Sequence, residues 1–125
     1  MIVGIGTDIV AIARIEAVLE RQGHRFAERI LHPEEMLEFS AHAQPARFLS
    51  KRFAVKEAAS KALGTGIGQG VSWRDFKIEH TELGAPVLRL FGEAAALAEQ
   101  SNVTQQHVSL ADEQDTVVAF VVLSN

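Results

Sequence analysis

Cysteine is absent from all 125 residues, which excludes a disulfide framework and any thiolate metal site and suits a cytoplasmic protein. Long apolar runs are also missing. The longest, "VVAFVVL" at 117–123, is far too short to cross a bilayer. Met1 leads straight into "IVGIGTDIV", without the basic start or cleavage pattern of a secretory signal, so no membrane association is expected. The five histidines, at 24, 32, 42, 80 and 107, form no paired ligand spacing, which argues against zinc. Two common phosphate-loop signatures are lacking as well. "GIGTDI" has Ile9 where the dinucleotide fingerprint needs its third glycine, and no glycine is followed by Lys and then Ser or Thr. Positive charge is not in excess: the net charge is −4, which argues against general nucleic-acid binding. No repeat, linker or low-complexity tract interrupts the chain.

What is present is ordinary for a folded protein. A hydrophobic content of 47% with 22% charged residues fits a single domain over 1–125, and a chain of this size hides roughly two thirds of its unfolded surface. The charge is unevenly spread. Of twelve Lys and Arg residues nine lie between Arg14 and Lys61, and 47–61 holds Arg47, Lys51, Arg52, Lys56 and Lys61 against one acid, Glu57. Such a cluster reads either as a solvated helix face or as a site for a polyanionic ligand or acidic partner.

"IVGIGTDIV" is rich in β-branched residues and reads as a strand. Its alternation sets Gly4, Gly6 and Asp8 on one face and Val3, Ile5, Thr7 and Ile9 on the other. "AIARIEAVLERQG" is an amphipathic helix with Ile12, Ile15, Val18 and Leu19 inward and Gly23 as its C-cap; "RFAERIL" continues the pattern briefly. "HPEEMLEFSAH" starts another helix, with Pro33 in the first turn and Glu34 and Glu35 against the positive N-terminus. Pro45 opens a long helix that stops near Gly64, where glycines at 64, 66, 68 and 70 make a loop. "DFKIEHT" and "PVLRLFG" form a hairpin with Gly84 at its turn, "EAAALAEQ" a short helix, and "HVSLAD" and "TVVAFVVLS" a final strand pair. The order β-α-α-α-β-β-α-β-β predicts an α+β fold, a mainly antiparallel sheet packed with helices. "VVAFVVL" is apolar on both faces and needs cover on both, from helices of its own chain or from a second copy.

Asp8 stands on an otherwise apolar strand, on the face left uncrowded by glycine. It serves either as a cap for the helix at Ala11 or as a carboxylate that must meet a cation. On the long helix, Phe53, Glu57 and Lys61 are spaced i, i+4, i+8 with Ser60 beside them, while Ala54, Ala58, Ala59 and Ala62 permit close packing. Glu57 and Lys61 are then a surface pair, or they sit deep beside the Asp8 strand. In the second case two hard oxygen donors would suit Mg²⁺, Lys61 would neutralise phosphate charge, and the glycine loop would let backbone approach the phosphates.

"GIGTDIVAIARIE" at 4–16 and "RFAVKEAASKALGTG" at 52–66 resemble the two signatures of holo-acyl-carrier-protein synthase, the short bacterial type of 4′-phosphopantetheinyl transferase. The resemblance extends over essentially the whole chain, "HVSLAD" included. It implies transfer of 4′-phosphopantetheine from coenzyme A to a serine of an apo-acyl carrier protein, in support of fatty acid biosynthesis, with release of adenosine 3′,5′-bisphosphate. By the same resemblance Asp8 and Glu57 bind Mg²⁺, and Lys61 contacts the reacting phosphate. Phe48, Arg52, Lys61, Gly64, Thr65, Gly66, Pro86 and His107 belong to the coenzyme A site. Arg14, Val18, Arg21, Phe26 and Arg29 dock an acidic carrier, and the assembly is a homotrimer with active sites between subunits. Two departures stand out. Ser109 is followed by Leu110, Ala111 and Asp112, where many members carry a second histidine in place of the aspartate. Ala85 precedes Pro86, where many carry lysine. The rival reading is a non-catalytic coenzyme A or nucleotide-binding module.

Overall fold

The computed structural model describes residues 1–125. Strand β1 (Ile2–Ala11) is followed by helices α1 (Ile12–Gln22), α2 (His24–Ile30), α3 (Pro33–Ala41) and α4 (Pro45–Leu63). A 3₁₀ turn at Trp73–Asp75 leads into β2 (Phe76–His80) and β3 (Pro86–Leu90), then α5 (Gly92–Gln100), β4 (Gln105–Asp112) and β5 (Thr116–Ser124). Four helices precede the hairpin, where the sequence order predicts three. "RFAERIL" is a helix of its own because Gly23, at φ +60°, turns the chain out of α1 while its N–H still caps Leu19 O at 2.7 Å.

The predicted sheet is two sheets. β5 is the central strand of an antiparallel trio in the order β1-β5-β4, and β2 pairs only with β3. Ile9 faces Val118, Asp8 faces Ala119, and Val108 faces Val121. The chain ends lie together, Met1 N donating to Asn125 O at 2.8 Å.

Helix α4 lies across the trio, and twelve of its nineteen residues are buried, so it is the spine of the core rather than a surface helix. Its approach to β1 is set by the absence of side chains. A Cβ on Gly4 would stand 1.9 Å from Ala62 O, and one on Gly6 1.9 Å from Ala58 O. Backbone therefore meets backbone, and Ala58 and Ala62 are the helix's contribution to that closeness.

On the α4 side, Val117, Ala119, Val121 and Leu123 of β5 are buried. The opposite face is bare: Ile5 is 59% exposed, Ile9 67%, Val118 38% and Phe120 44%. No helix of this chain covers it, so of the two covers considered for "VVAFVVL", helices of the same chain supply only one. No helix is long and apolar enough to cross a membrane.

Candidate active site

The glycine contact fixes where the chemistry-bearing residues fall. Asp8 follows Gly6 by one strand alternation, and Glu57 immediately precedes Ala58. Lys61, one helical turn past Glu57, reaches across the junction. Its Nζ donates to Asp8 Oδ1 at 3.1 Å and to Thr7 O at 3.0 Å. Asp8 is therefore no cap for α1, whose N-terminal Ala11 has no side-chain cap at all. Nor do Glu57 and Lys61 form a surface pair. The Lys61 side chain is half exposed and that of Asp8 is 17% exposed, which leaves the ammonium facing both its carboxylate and solvent.

Glu57 has a partner that the sequence reading missed. The indole N–H of Trp73 donates to Glu57 Oε1 at 3.2 Å. The ring stacks on Phe53, with centroids 6.2 Å apart at 29°. The available signal was that Trp73, the only tryptophan, stands three residues after Gly70, the last glycine of the loop. That loop closes on the end of α4: Gly64, at φ +86°, caps Lys61 O at 2.9 Å, and Thr65 and Gly66 both donate to Ser60 O. Only glycine adopts such a φ without strain. The Thr65 hydroxyl donates to Gly66 O at 2.7 Å.

Asp8 Oδ2 and Glu57 Oε2 have no hydrogen-bond partner within the chain, while the other oxygen of each is held. No group of three His, Cys, Asp or Glu residues converges anywhere. Two hard oxygen donors with no third protein ligand fit a cation such as Mg²⁺, which keeps waters and shares its remaining positions with phosphate oxygens.

The other coenzyme A candidates lie elsewhere in the chain. Arg52, nine residues before Lys61 and so about 13 Å away along the helix, is buried with its guanidinium 4.4 Å over the Phe48 ring. Phe48 is itself a core residue. A cleft of about 290 Å³ is lined by Arg52, Pro86, Lys51, His80 and Asp112. Burial and the nearby Arg52 charge push the His80 pKa below its ordinary value. His107 lies on the bare sheet face, hydrogen-bonded with Ser124 Oγ at 3.1 Å. By register Asp8 faces Ala119, which faces Leu110. His107 is thus three positions along and two strands across from Asp8, about 10 Å in each direction. One chain does not bring His107 to Lys61.

The basic cluster at 47–61 takes a form that neither sequence reading anticipated. Arg47 binds Asp112 at 2.8 Å, with Lys51 at 3.7 Å; Arg52 binds Glu38 at 3.0 Å and lies 3.3 Å from Glu35; Lys56 binds Glu35 at 2.6 Å. Every cation of the cluster has an internal carboxylate, and Lys61 alone is half exposed at the candidate site. Asp112, the departure from the family pattern, ties β4 to the start of α4. Glu35, expected simply at a helix N-terminus, is a buried hub. Its Oε1 accepts from His32 N and from Lys56, and its Oε2 accepts from Ile78 N at 3.0 Å. Burial pushes the Lys56 pKa down to about 8, with the Glu35 charge opposing.

Of the five arginines without an ion pair, four lie on α1 and α2 and the fifth, Arg74, in the 3₁₀ turn. Arg14, Arg21, Arg25 and Arg29 are exposed and make no ion pair, so Arg14 and Arg21 are not neutralised by Glu16 or Glu20. Val18 and Phe26 sit half-buried among them; Phe26 packs on Phe53, and Arg14 lies 5.7 Å over the same ring.

A family model described as the 4′-phosphopantetheinyl transferase superfamily matches residues 4–121. A holo-[acyl-carrier-protein] synthase of Photorhabdus laumondii is 56% identical over 122 residues, 98% of this chain and 97% of that protein. The crystal structure of the holo-[acyl-carrier-protein] synthase from Neisseria meningitidis superposes with a TM-score of 0.93 at 47% identity, covering 100% of both chains. The Helicobacter pylori synthase, solved in complex with coenzyme A, gives a TM-score of 0.84 at 35% identity, covering 96% of this chain and 99% of that one.

Proposed function

The chain belongs to the holo-acyl-carrier-protein synthases of the 4′-phosphopantetheinyl transferase superfamily, and from that premise we infer how its residues work. The enzyme transfers 4′-phosphopantetheine from coenzyme A to a serine of apo-acyl carrier protein. The serine oxygen forms a bond to the phosphorus that carries pantetheine. The bond from that phosphorus to adenosine 3′,5′-bisphosphate breaks, and the serine proton is lost.

The observation that carries the site assignment is the Lys61–Asp8 pair, one helical turn from Glu57, where the backbones of β1 and α4 meet. Lys61 would neutralise charge developing on the pyrophosphate. Its hydrogen bonds to Asp8 and Thr7 hold the ammonium in place before substrate arrives. Asp8 and Glu57 are the proposed ligands of Mg²⁺, which when bound supplies Lewis-acid neutralisation of phosphate oxygens. The N–H groups of Gly64, Thr65 and Gly66 all donate to the end of α4, so the proposed part of this loop is close backbone approach to the phosphates, without side chains at its glycines.

Coenzyme A would extend past the Arg52 cleft, and His107 would reach it from a neighbouring subunit. That arrangement accounts for the bare sheet face, since a homotrimer built through Ile5, Ile9, Val118 and Phe120 buries it. The acidic carrier would dock on Arg14, Val18, Arg21, Phe26 and Arg29, the face whose arginines have no internal partner. The cytoplasm is the proposed compartment.

The test is mass spectrometry of apo-acyl carrier protein incubated with this protein, coenzyme A and Mg²⁺. The carrier is expected to gain one phosphopantetheine. An unmodified carrier, with coenzyme A still bound by the protein, would mean a binding module instead.

A further inference from the structure

Glu57 is the one carboxylate of the site without an ion-pair partner, and the single hydrogen bond to its side chain comes from an indole. We propose that Trp73 is the positioning residue for Glu57, fixing Oε1 so that Oε2 is presented to the divalent cation. The inference rests on the reading of Glu57 as a metal ligand. An indole N–H is a donor only, so it holds one carboxylate oxygen and cannot itself ligate the cation. Carboxylates that bind metals are commonly oriented by such an outer hydrogen bond, and loss of the partner typically costs about 10–100-fold in metal affinity.

The surroundings of Trp73 are built to hold it still. Its ring lies on Phe53, one turn before Glu57 on the same helix. Its backbone begins a 3₁₀ turn closed by a reciprocal cap: Ser72 Oγ accepts from Arg74 N at 3.2 Å, and Ser72 N donates to Asp75 Oδ2 at 3.3 Å. Asp75 Oδ2 also accepts from Ala94 N at 3.3 Å, which anchors the turn to α5. A residue that only filled space beside Phe53 would need neither the N–H nor an aim at Glu57. Phenylalanine would keep the stack and lose the donor.

The sole tryptophan makes the test direct, because its indole N–H gives a single resolved NMR resonance. In full-length protein saturated with coenzyme A, Mg²⁺ should shift that resonance saturably. In Glu57→Ala the resonance should move and lose its Mg²⁺ response. Calorimetric titration with Mn²⁺ should give Trp73→Phe a dissociation constant about 10–100-fold weaker than wild type. At saturating metal its kcat, and its KM values for coenzyme A and carrier, should recover. Unchanged Mn²⁺ affinity in Trp73→Phe, alongside a clear loss in Glu57→Ala, would overturn the role of Trp73 and leave the metal site standing. Unchanged affinity in Glu57→Ala would overturn the metal reading and this inference with it. If Trp73→Phe does not fold, the wild-type resonance decides: an indole signal that ignores Mg²⁺ saturation refutes the proposal.

Discussion

Lys56 and Lys61 stand five residues apart on α4, and their surroundings give them opposite tasks. Lys56 is fully buried on Glu35 and Ile30 O. Lys56→Met would take the ammonium from Glu35 Oε1 and leave Arg52, 3.3 Å from Oε2, as the carboxylate's remaining counter-charge, so denaturant melts should show a loss of about 1–3 kcal/mol, less than for a wholly unpaired buried charge. The pH dependence follows from burial. Lys56 titrates at about 8 in the fold against an ordinary 10.5, so between those values the unfolded chain holds a proton that the folded chain has released. Its contribution to stability therefore rises with pH across that window. Wild type should gain stability relative to Lys56→Met between pH 8 and pH 10; equal slopes would refute the assignment. Lys61 contributes to chemistry instead, and Lys61→Met should lower kcat by about 10²–10³-fold with the melting temperature nearly unchanged. Asp8→Ala and Glu57→Ala should abolish transfer, and Mn²⁺ should replace Mg²⁺ better than Zn²⁺ does. Full activity in excess EDTA would sink the metal assignment. Lys61, Asp8 and Glu57 were legible because an aspartate among glycines and a helical stripe of charges are local patterns. Glu35 and Trp73 were not. Their partners lie 21 and 16 residues away, and no local pattern marks a contact across that distance.

Between elements, the decisive contact is α4 on β1. Gly6→Ala would set a methyl group 1.9 Å from Ala58 O, so helix and strand must separate. Overpacking of this kind costs about 1–3 kcal/mol, sometimes more, and here it also draws Asp8 away from Lys61. Transfer activity should fall far more than the melting temperature suggests; an active, stable Gly6→Ala protein would show that the close approach is dispensable. The face of α1 and α2 makes a different prediction. With Arg14 and Arg21 both changed to Glu, the carrier KM should rise and its salt dependence should weaken, while the KM for coenzyme A stays put. An unchanged carrier KM would mean the carrier binds elsewhere. Alternation alone grouped Gly4, Gly6 and Asp8 on one face of β1; that this face, and not the apolar one of Ile5 and Ile9, packs on α4 came from the structure. The end of α1 at Gly23 was legible, since a glycine after an amphipathic run marks a C-cap; that the residues after it form a helix of their own was not, because their short pattern reads as a continuation. The separation of the hairpin from the main sheet was hidden too, since pairing between distant strands leaves no mark on either strand's pattern.

For the whole molecule, the bare face of β1, β5 and β4 is the feature that one chain leaves unresolved. If a trimer covers it, Phe120→Asp should give monomers by light scattering and little transfer. If His107 serves the neighbouring site, Glu57→Ala and His107→Ala, unfolded and refolded together, should recover about a quarter of the interfaces, those pairing the two intact residues. Mixed trimers with no activity above either parent would exclude a shared site, provided that His107→Ala is impaired alone. The double apolarity of "VVAFVVL" showed in the sequence; which face its own helix would take did not, since both faces are equally apolar. The central place of β5 bears also on how the protein comes into being. β1 leaves the ribosome well before β5, yet β1 has no other strand to pair with, for β4 pairs only with β5. Throughout synthesis Ile5 and Ile9 therefore wait on an open edge, and the sheet closes as a single late event with high contact order. The window for misassociation thus lasts from the synthesis of β1 to that of β5, and a nascent chain stalled before Thr116 should remain protease-sensitive until β5 emerges.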